Sequence, residues 1–218
     1  MMRNDLTELV FIIDRSGSMY GLEKDTIGGF NSVLAQNKAL PGDANVTTIL
    51  FDHEISLLHD RLPIQAIAPI TENDYRVRGS TALLDAIGAG IEKITAVQRH
   101  TADAYRASKV QFVIITDGLE NASRRFRLSQ IRDMITLQQK EYGWDFLFLG
   151  ANMDAISTAS DMGIHADRAV TAMSDKRGTG LQYEAVARAN MAYRAGHAPT
   201  ADWKQDVEAD TAQRGGNW

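Results

Sequence analysis

The stretch that decides the fold is Val10-Phe11-Ile12-Ile13-Asp14-Arg15-Ser16-Gly17-Ser18. Its first four residues are β-branched or aromatic, and a short apolar run that ends at a turn signal predicts a buried strand. Residues that follow such a strand lie at the crevice of a parallel sheet, where ligands bind. Asp14, Ser16 and Ser18 therefore place three hard oxygen donors around a glycine turn, where they can face one small cation.

Two later segments supply further oxygen donors. Arg78-Gly79-Ser80-Thr81 comes directly before a helical pattern, and Val113-Ile114-Ile115-Thr116-Asp117-Gly118 is a second apolar strand that ends in a carboxylate. A carboxylate and a hydroxyl from these loops can complete an oxygen site with the first loop. Gly17 is predicted to form its tight loop through a positive φ, as glycine can.

In this order the three segments resemble the metal-ion-dependent adhesion site (MIDAS) of von Willebrand factor type A domains. Carried over by position, Asp14, Ser16 and Ser18 match the first motif of the family, Thr81 matches the second and Asp117 matches the third. The resemblance implies a doubly wound, mostly parallel α/β sheet with six strands, Rossmann-like in outline. It implies the strand order 3-2-1-4-5-6, with strand 3 antiparallel and helices on both faces.

The resemblance covers about residues 7–172, so residues 1–173 are assigned to the von Willebrand factor type A domain and residues 174–218 to a C-terminal helix and a mobile tail. The apolar patterns predict strands at Leu9–Ile13, Val46–Phe51, Glu54–His59, Val110–Thr116, Trp144–Leu149 and Arg168–Thr171. They predict helices at Leu22–Leu40, Ala82–Val97, Leu128–Tyr142, Ala155–Met162 and Thr179–Ala195.

Composition and charge exclude several classes of function. The net charge is −5 without a block of Lys and Arg, so nucleic acid is not an expected ligand. The chain has no cysteine, which excludes disulfides and thiolate metal sites. It shows neither a signal-peptide core nor an apolar stretch of the roughly 20 residues that a membrane span needs, so a cytoplasmic location without membrane contact is predicted.

For the ion and its partner, the resemblance implies that the hydroxyls bind metal directly while the carboxylates act largely through water. Mg²⁺ is the expected ion, and the oxygen donors leave Mn²⁺ and Ca²⁺ open. The resemblance also implies a protein partner that supplies an Asp or Glu side chain to the metal. Met19 and Tyr20 are predicted to lie on the rim of that interface, since both residue types are common at interfaces.

Three functions are compared. The first is a stand-alone interaction module without enzymatic activity, whose family relatives occur beside AAA-type ATPases and in stress-response systems. The second is a metal-dependent phosphoryl or ester hydrolase, in which Asp117, Glu120 or His53 would act as the base. The third is a scaffold with a purely structural metal. A zinc protease is not indicated, because His53, Glu54 and His59 do not have the His-Glu-x-x-His spacing.

Overall fold

The structure, a computed structural model, describes residues 3–215 and the side chains of residues 5–215. Its strands are β1 (Arg3–Asp14), β2 (Asp43–Phe51), β3 (Ile55–Pro63), β4 (Ala107–Thr116), β5 (Asp145–Ala151) and β6 (Ala169–Ala172). Its α-helices are α1 (Glu23–Lys38), α2 (Leu83–His100), α3 (Leu128–Tyr142), α4 (Ala155–Asp161), α5 (Lys176–Arg194) and α6 (Gln205–Gln213).

The strands form one six-stranded sheet in the order β3-β2-β1-β4-β5-β6. β3 runs antiparallel to β2, and the other neighbouring pairs are parallel. The predicted order and the antiparallel third strand are confirmed. Because β1 and β4 are neighbours at the point where the strand order reverses, their carboxyl ends form the crevice in which a ligand is expected.

The core explains why the central strands are apolar along their whole length. In β1, Leu9, Phe11 and Ile13 join a cluster with side chains from α1, α5 and α6. Val10 and Ile12 point the opposite way and join a cluster with α2, α3 and α4. Since both faces of the sheet are covered by helices, neither side of these strands is left for polar residues.

The first strand is longer than the predicted Leu9–Ile13, because residues before Leu9 also pair with both neighbouring strands. Glu8 concealed this extension, since a carboxylate is rare inside a sheet. The structure buries it and pairs it with Arg61 at 2.6 Å. None of the helices that the structure describes is long and apolar enough to cross a membrane.

The C-terminal region contains more helix than the sequence predicted. α5 begins at Lys176, three residues before the expected Thr179, and the Asp175 carboxylate caps it by accepting from the Gly178 amide at 2.9 Å. α6 and the helical turn before it were not predicted. They bury Trp203, whose indole N–H donates to the Asp167 carbonyl at 2.9 Å. Residues 216–218, the end of the tail predicted to be mobile, lie outside the described residues, as do residues 1 and 2.

Candidate metal centre

The carboxylate of Asp14 is held by hydrogen bonds to both of its oxygens. The backbone amide of Ser16 donates to Oδ1 at 2.6 Å. The hydroxyl of Thr116, which ends the neighbouring strand β4, donates to Oδ2 at 2.6 Å. Asp14 is fully buried, and its side chain is therefore fixed at the junction of β1 and β4.

Three hydroxyls converge on one small volume beside this carboxylate. The Oγ atoms of Ser16 and Ser18 lie 3.0 Å apart. A methyl group placed on Gly118 would lie 3.0 Å from Thr81 Oγ1, 3.1 Å from Ser18 Oγ and 3.7 Å from Ser16 Oγ. The first and second loops thus bring their hydroxyls to the same point, and glycine at position 118 on the third loop leaves that point open.

Asp117 brings the second carboxylate to the same place. Its Oδ2 accepts a hydrogen bond from Ser174 at 3.3 Å, whereas its buried Oδ1 has no hydrogen-bond partner among the described residues. A buried carboxylate oxygen without a partner is costly. A bound cation would remove that cost, so the unpartnered Oδ1 of Asp117 favours a metal at this site.

The raised pKa values of the two carboxylates and their lack of cationic partners within the described part of the chain also favour a bound cation. Burial raises the pKa of Asp14 to about 6, against hydrogen bonds from Thr116 and Ser16 that lower it. Burial also raises the pKa of Asp117. Among the described residues neither carboxylate has an ion-pair partner, so a divalent cation would supply the missing positive charge. The donor set of two carboxylates and three hydroxyls fits a hard cation such as Mg²⁺.

An ion-pair cluster centred on Asp52 fixes the loop that carries Thr81. Asp52 directly follows β2 in the turn to β3, is fully buried, and pairs through Oδ2 with Arg15 at 2.8 Å and Arg78 at 2.9 Å. The Arg78 amide also donates to the Arg15 carbonyl at 2.9 Å. The first and second loops are thereby tied together. This role of Asp52 was not predicted, although its position directly after a strand that pairs with β1 was a usable signal.

Glycines serve these loops in two different ways. Gly79 adopts the left-handed region at φ +69°, where a Cβ would also collide with His53. The prediction of a positive φ at Gly17 is wrong. Glycine avoids a tight contact there, because a Cβ would lie 3.2 Å from the Gly79 carbonyl, to which the Gly17 amide donates at 3.0 Å.

The loop after Asp117 is braced against the start of α2. The Asn121 side-chain oxygen accepts from the Thr81 amide at 2.9 Å, and the Thr81 carbonyl accepts from the Asn121 amide at 3.0 Å. The Glu120 carboxylate accepts hydrogen bonds from the backbone amides of Leu84, Ala122 and Ser123 and from the Ser123 hydroxyl. Glu120 and Asn121 therefore hold the second and third loops in register.

A second group of potential metal ligands lies next to the first. Ligand atoms of Asp52, His53 and Glu54 are within 4.8 Å of one another. Arg78 contacts two of these residues, Asp52 at 2.9 Å and Glu54 at 2.6 Å. Because its guanidinium already pairs with both carboxylates of the group, this trio fits an ion-pair network better than a metal centre.

Exposed apolar side chains flank the site. Tyr20 is 82% exposed on the first loop and Leu119 is 65% exposed on the third. The prediction that Tyr20 lies on the rim agrees with its exposure. The same prediction for Met19 is wrong, because that side chain is 4% exposed and packs inward.

No family model matches the chain, and no curated protein matches it. Solved structures do. The chain is similar to the von Willebrand factor type A protein from Catenulispora acidiphila, with a TM-score of 0.60 and 16% identity over 85% of this chain and 43% of that one. It is similar to the vWF domain of the type V pili tip protein Mfa5 from Porphyromonas gingivalis, with a TM-score of 0.57 and 11% identity over 89% of this chain and 97% of that one.

A third similar structure is proximal thread matrix protein 1 from the mussel byssus, described with a zinc-occupied MIDAS motif. Its TM-score is 0.56, with 15% identity over 83% of this chain and 44% of that one. The chain spans 43–45% of the length of the first structures it matches. At these identities the likeness concerns the fold, and the chain has the fold of von Willebrand factor type A domains.

Proposed function

We propose that this chain is a metal-dependent protein-interaction module that holds a divalent cation with Asp14, Ser16, Ser18, Thr81 and Asp117. The observation that carries the proposal is the convergence of three hydroxyls beside two buried carboxylates that have no cationic partner among the described residues. The metal-bearing and pilus proteins of the same fold lend it general support.

Mg²⁺ is the ion we propose, with Mn²⁺ and Ca²⁺ as the alternatives to test. The five side chains offer oxygen alone, and such donor sets favour hard cations over zinc. The mussel protein was described with zinc in its motif, so zinc belongs in the titration as a comparison. When bound, the ion would supply an open coordination position that attracts an anionic oxygen.

The partner we propose is a protein that presents an Asp or Glu carboxylate to the ion. Neutral hydroxyl ligands leave much of the positive charge of a divalent cation uncompensated, which favours an anionic ligand from outside the chain. Tyr20 and Leu119 would pack around that side chain and exclude water, and aromatic residues are enriched at such contacts. An AAA-type ATPase or a stress-response protein in the cytoplasm is the partner class to screen first.

We propose binding rather than hydrolysis because Asp117 is assigned to the metal and the other two candidate bases, Glu120 and His53, are held away from the converging hydroxyls or used to brace the loops. Glu120 accepts four hydrogen bonds that hold backbone and a hydroxyl in place. His53 lies with Nδ1 3.1 Å from Asp52, outside the group of converging hydroxyls. A purely structural metal differs from the proposed function in one respect, since it would raise the melting temperature without changing affinity for a partner.

The test is a partner pull-down from cell extract with and without chelator, repeated with Asp14→Ala. Capture that requires Mg²⁺ and Asp14 supports the proposal, with Asp133→Ala on the exposed face of α3 as the matched control. Capture that survives both chelator and Asp14→Ala would contradict it. A melting temperature that responds to Mg²⁺ while capture does not would favour the structural metal.

A further inference from the structure

The loop between β6 and α5, residues 173–175, reaches the candidate metal centre in addition to the three loops named in the sequence. Ser174 lies in this loop, and its hydroxyl donates to Asp117 Oδ2 at 3.3 Å. β6 is an edge strand and is separated from β4 by β5. The loop must therefore reach across the end of β5 to make this contact, and it is a fourth loop that holds the second carboxylate of the site.

This loop is tightly wound, which fixes the position of Ser174. The Asp175 amide donates to the Met173 carbonyl at 3.0 Å, and the Asp175 carboxylate accepts from the Gly178 amide at 2.9 Å. Glycine is required at position 178, because a Cβ there would collide with the Met173 carbonyl oxygen. Ser174 is thus held between two residues whose backbone positions are themselves fixed.

α6 holds the same loop on both sides of Ser174. On the β6 side, the Thr211 hydroxyl donates to the Thr171 carbonyl at 3.0 Å. On the α5 side, the Arg214 guanidinium contacts the carboxylate of Asp175, the residue that follows Ser174 in the chain. A helix that lies outside the domain assigned from the sequence is therefore connected to the metal centre through two side-chain contacts and one short loop.

The guanidinium of Arg214 is itself held by a buried acid. Asp210, one turn earlier in α6, pairs with Arg214 at 2.9 Å and with Arg177 of α5 at 2.8 Å. Because Asp210 is buried, these ion pairs are screened less than pairs between exposed side chains. α6 cannot leave α5 without separating these charges, so the docked position of α6 is well defined.

We propose that Ser174 is a positioning residue of the metal centre and that α6 controls it through Arg214. This inference rests on the metal binding proposed above. The Ser174 hydroxyl acts through Asp117, by fixing how that carboxylate faces the ion. Loss of such a contact to a metal ligand weakens metal binding about 10–100-fold. Since α6 fixes the loop that carries Ser174, docking of α6 and binding of the ion each strengthen the other.

The test is calorimetric titration of Mg²⁺ into the full chain and its variants, with the melting temperature of each metal-free protein measured alongside. We expect Ser174→Ala to bind Mg²⁺ about tenfold more weakly, whereas Ser174→Thr keeps the hydroxyl and should stay close to the wild type. Arg214→Gln should weaken binding about threefold, because its ion pair with Asp175 is partly exposed. A merely structural role would lower the melting temperature without this order of affinities.

Asp206→Asn is the matched control for Arg214→Gln. It removes another ion pair between α5 and α6, with Arg188 at 2.8 Å, that does not involve the loop. Its Mg²⁺ affinity should equal that of the wild type. Hydrogen exchange gives a second readout, since Mg²⁺ should slow exchange in α6 of the wild type and do so less in Ser174→Ala.

The outcomes separate this inference from the function on which it rests. Wild-type affinity in both Ser174→Ala and Arg214→Gln would overturn the inference and leave the metal centre in place. Weak binding by Ser174→Ala alone, with no effect of Mg²⁺ on exchange in α6, would overturn the role of α6. The absence of Mg²⁺, Mn²⁺ and Ca²⁺ binding by the wild type would overturn the metal centre and this inference with it.

Discussion

The two ends of the sheet both contain buried polar side chains that lack a full set of partners among the described residues, but they assemble them differently. At the carboxyl ends of the strands, the candidate metal ligands lie on three short loops, and each loop follows a strand or precedes a helix. At the amino ends, Thr95 and Gln138 lie within two helices that meet only in the folded chain. The first set contains two carboxylates and calls for a cation, whereas the second is neutral and calls for a hydrogen-bond donor.

The largest effect is expected from Asp52→Ala. This change should destabilise the loops at the carboxyl ends of the strands and leave the opposite end of the sheet intact. The change removes a buried carboxylate from Arg15 and Arg78, and breaking a buried pair from one side costs about 3–5 kcal/mol. Because Arg78 is half exposed, we expect a loss of ~3 kcal/mol in the free energy of unfolding, measured by urea denaturation. Glu54→Ala, at an exposed partner of the same arginine, is the control and should cost under ~1 kcal/mol. Equal losses in the two variants would show that Asp52 does not organise the loops.

Thr81→Ala tests whether the hydroxyls bind the ion. The loss of one direct oxygen ligand should weaken Mg²⁺ binding by at least the ~10-fold that loss of an outer-shell partner costs. Thr81→Ser keeps the hydroxyl and should stay close to the wild-type affinity. A titration of Thr81→Ala that matches the wild type would mean that Thr81 is misassigned.

Metal binding should depend on pH through Asp14. Burial raises the pKa of this carboxyl to about 6 from an ordinary value of 3.8. Between these values the metal-free folded chain keeps a proton that the unfolded chain has lost, so the Asp14 contribution to stability falls as pH rises through this window. Mg²⁺ must displace that proton below pH 6, and its affinity should fall about tenfold from pH 7 to pH 5. A flat pH profile from calorimetry would contradict this assignment.

The smallest effect is expected from Gln138→Leu without ligand. Removal of an unpartnered buried oxygen relieves a cost of about 1–3 kcal/mol, partly offset by the change of side-chain shape. We expect an increase of ~1 kcal/mol in the free energy of unfolding and an unchanged Mg²⁺ affinity. Destabilisation relative to Gln139→Leu, a change at the neighbouring glutamine, would show that Gln138 is satisfied in solution.

Three local motifs carried the resemblance that implied the strand order, which the structure confirms, and the same motifs named the five site positions, whose role as metal ligands stays a prediction. Asp14 and Asp117 each end an apolar strand, and their side chains meet because β1 and β4 are neighbours in the sheet. The structure brings the hydroxyls of Ser16, Ser18 and Thr81 together as expected, and the bound ion stays a prediction.

Features of the fold and the site that were not predicted depend on contacts between segments distant in the chain. The roles of Glu120 and Ser174 follow from which loops touch, and no local spacing marks them. α6 was missed because its buried face is short and includes Asp210, which is paired with Arg177 and Arg214. The cavity between α2 and α3 at the amino ends of the strands could not be predicted, because it exists only through the packing of the two helices.

The most direct test of the central claim is calorimetric titration of Mg²⁺ into the wild type and Asp14→Ala, each with and without acetate. We expect saturable binding to the wild type, loss of that binding in Asp14→Ala, and tighter binding when acetate supplies a carboxylate. The absence of binding at millimolar Mg²⁺, Mn²⁺ and Ca²⁺, or equal binding by Asp14→Ala, would contradict the proposed metal centre.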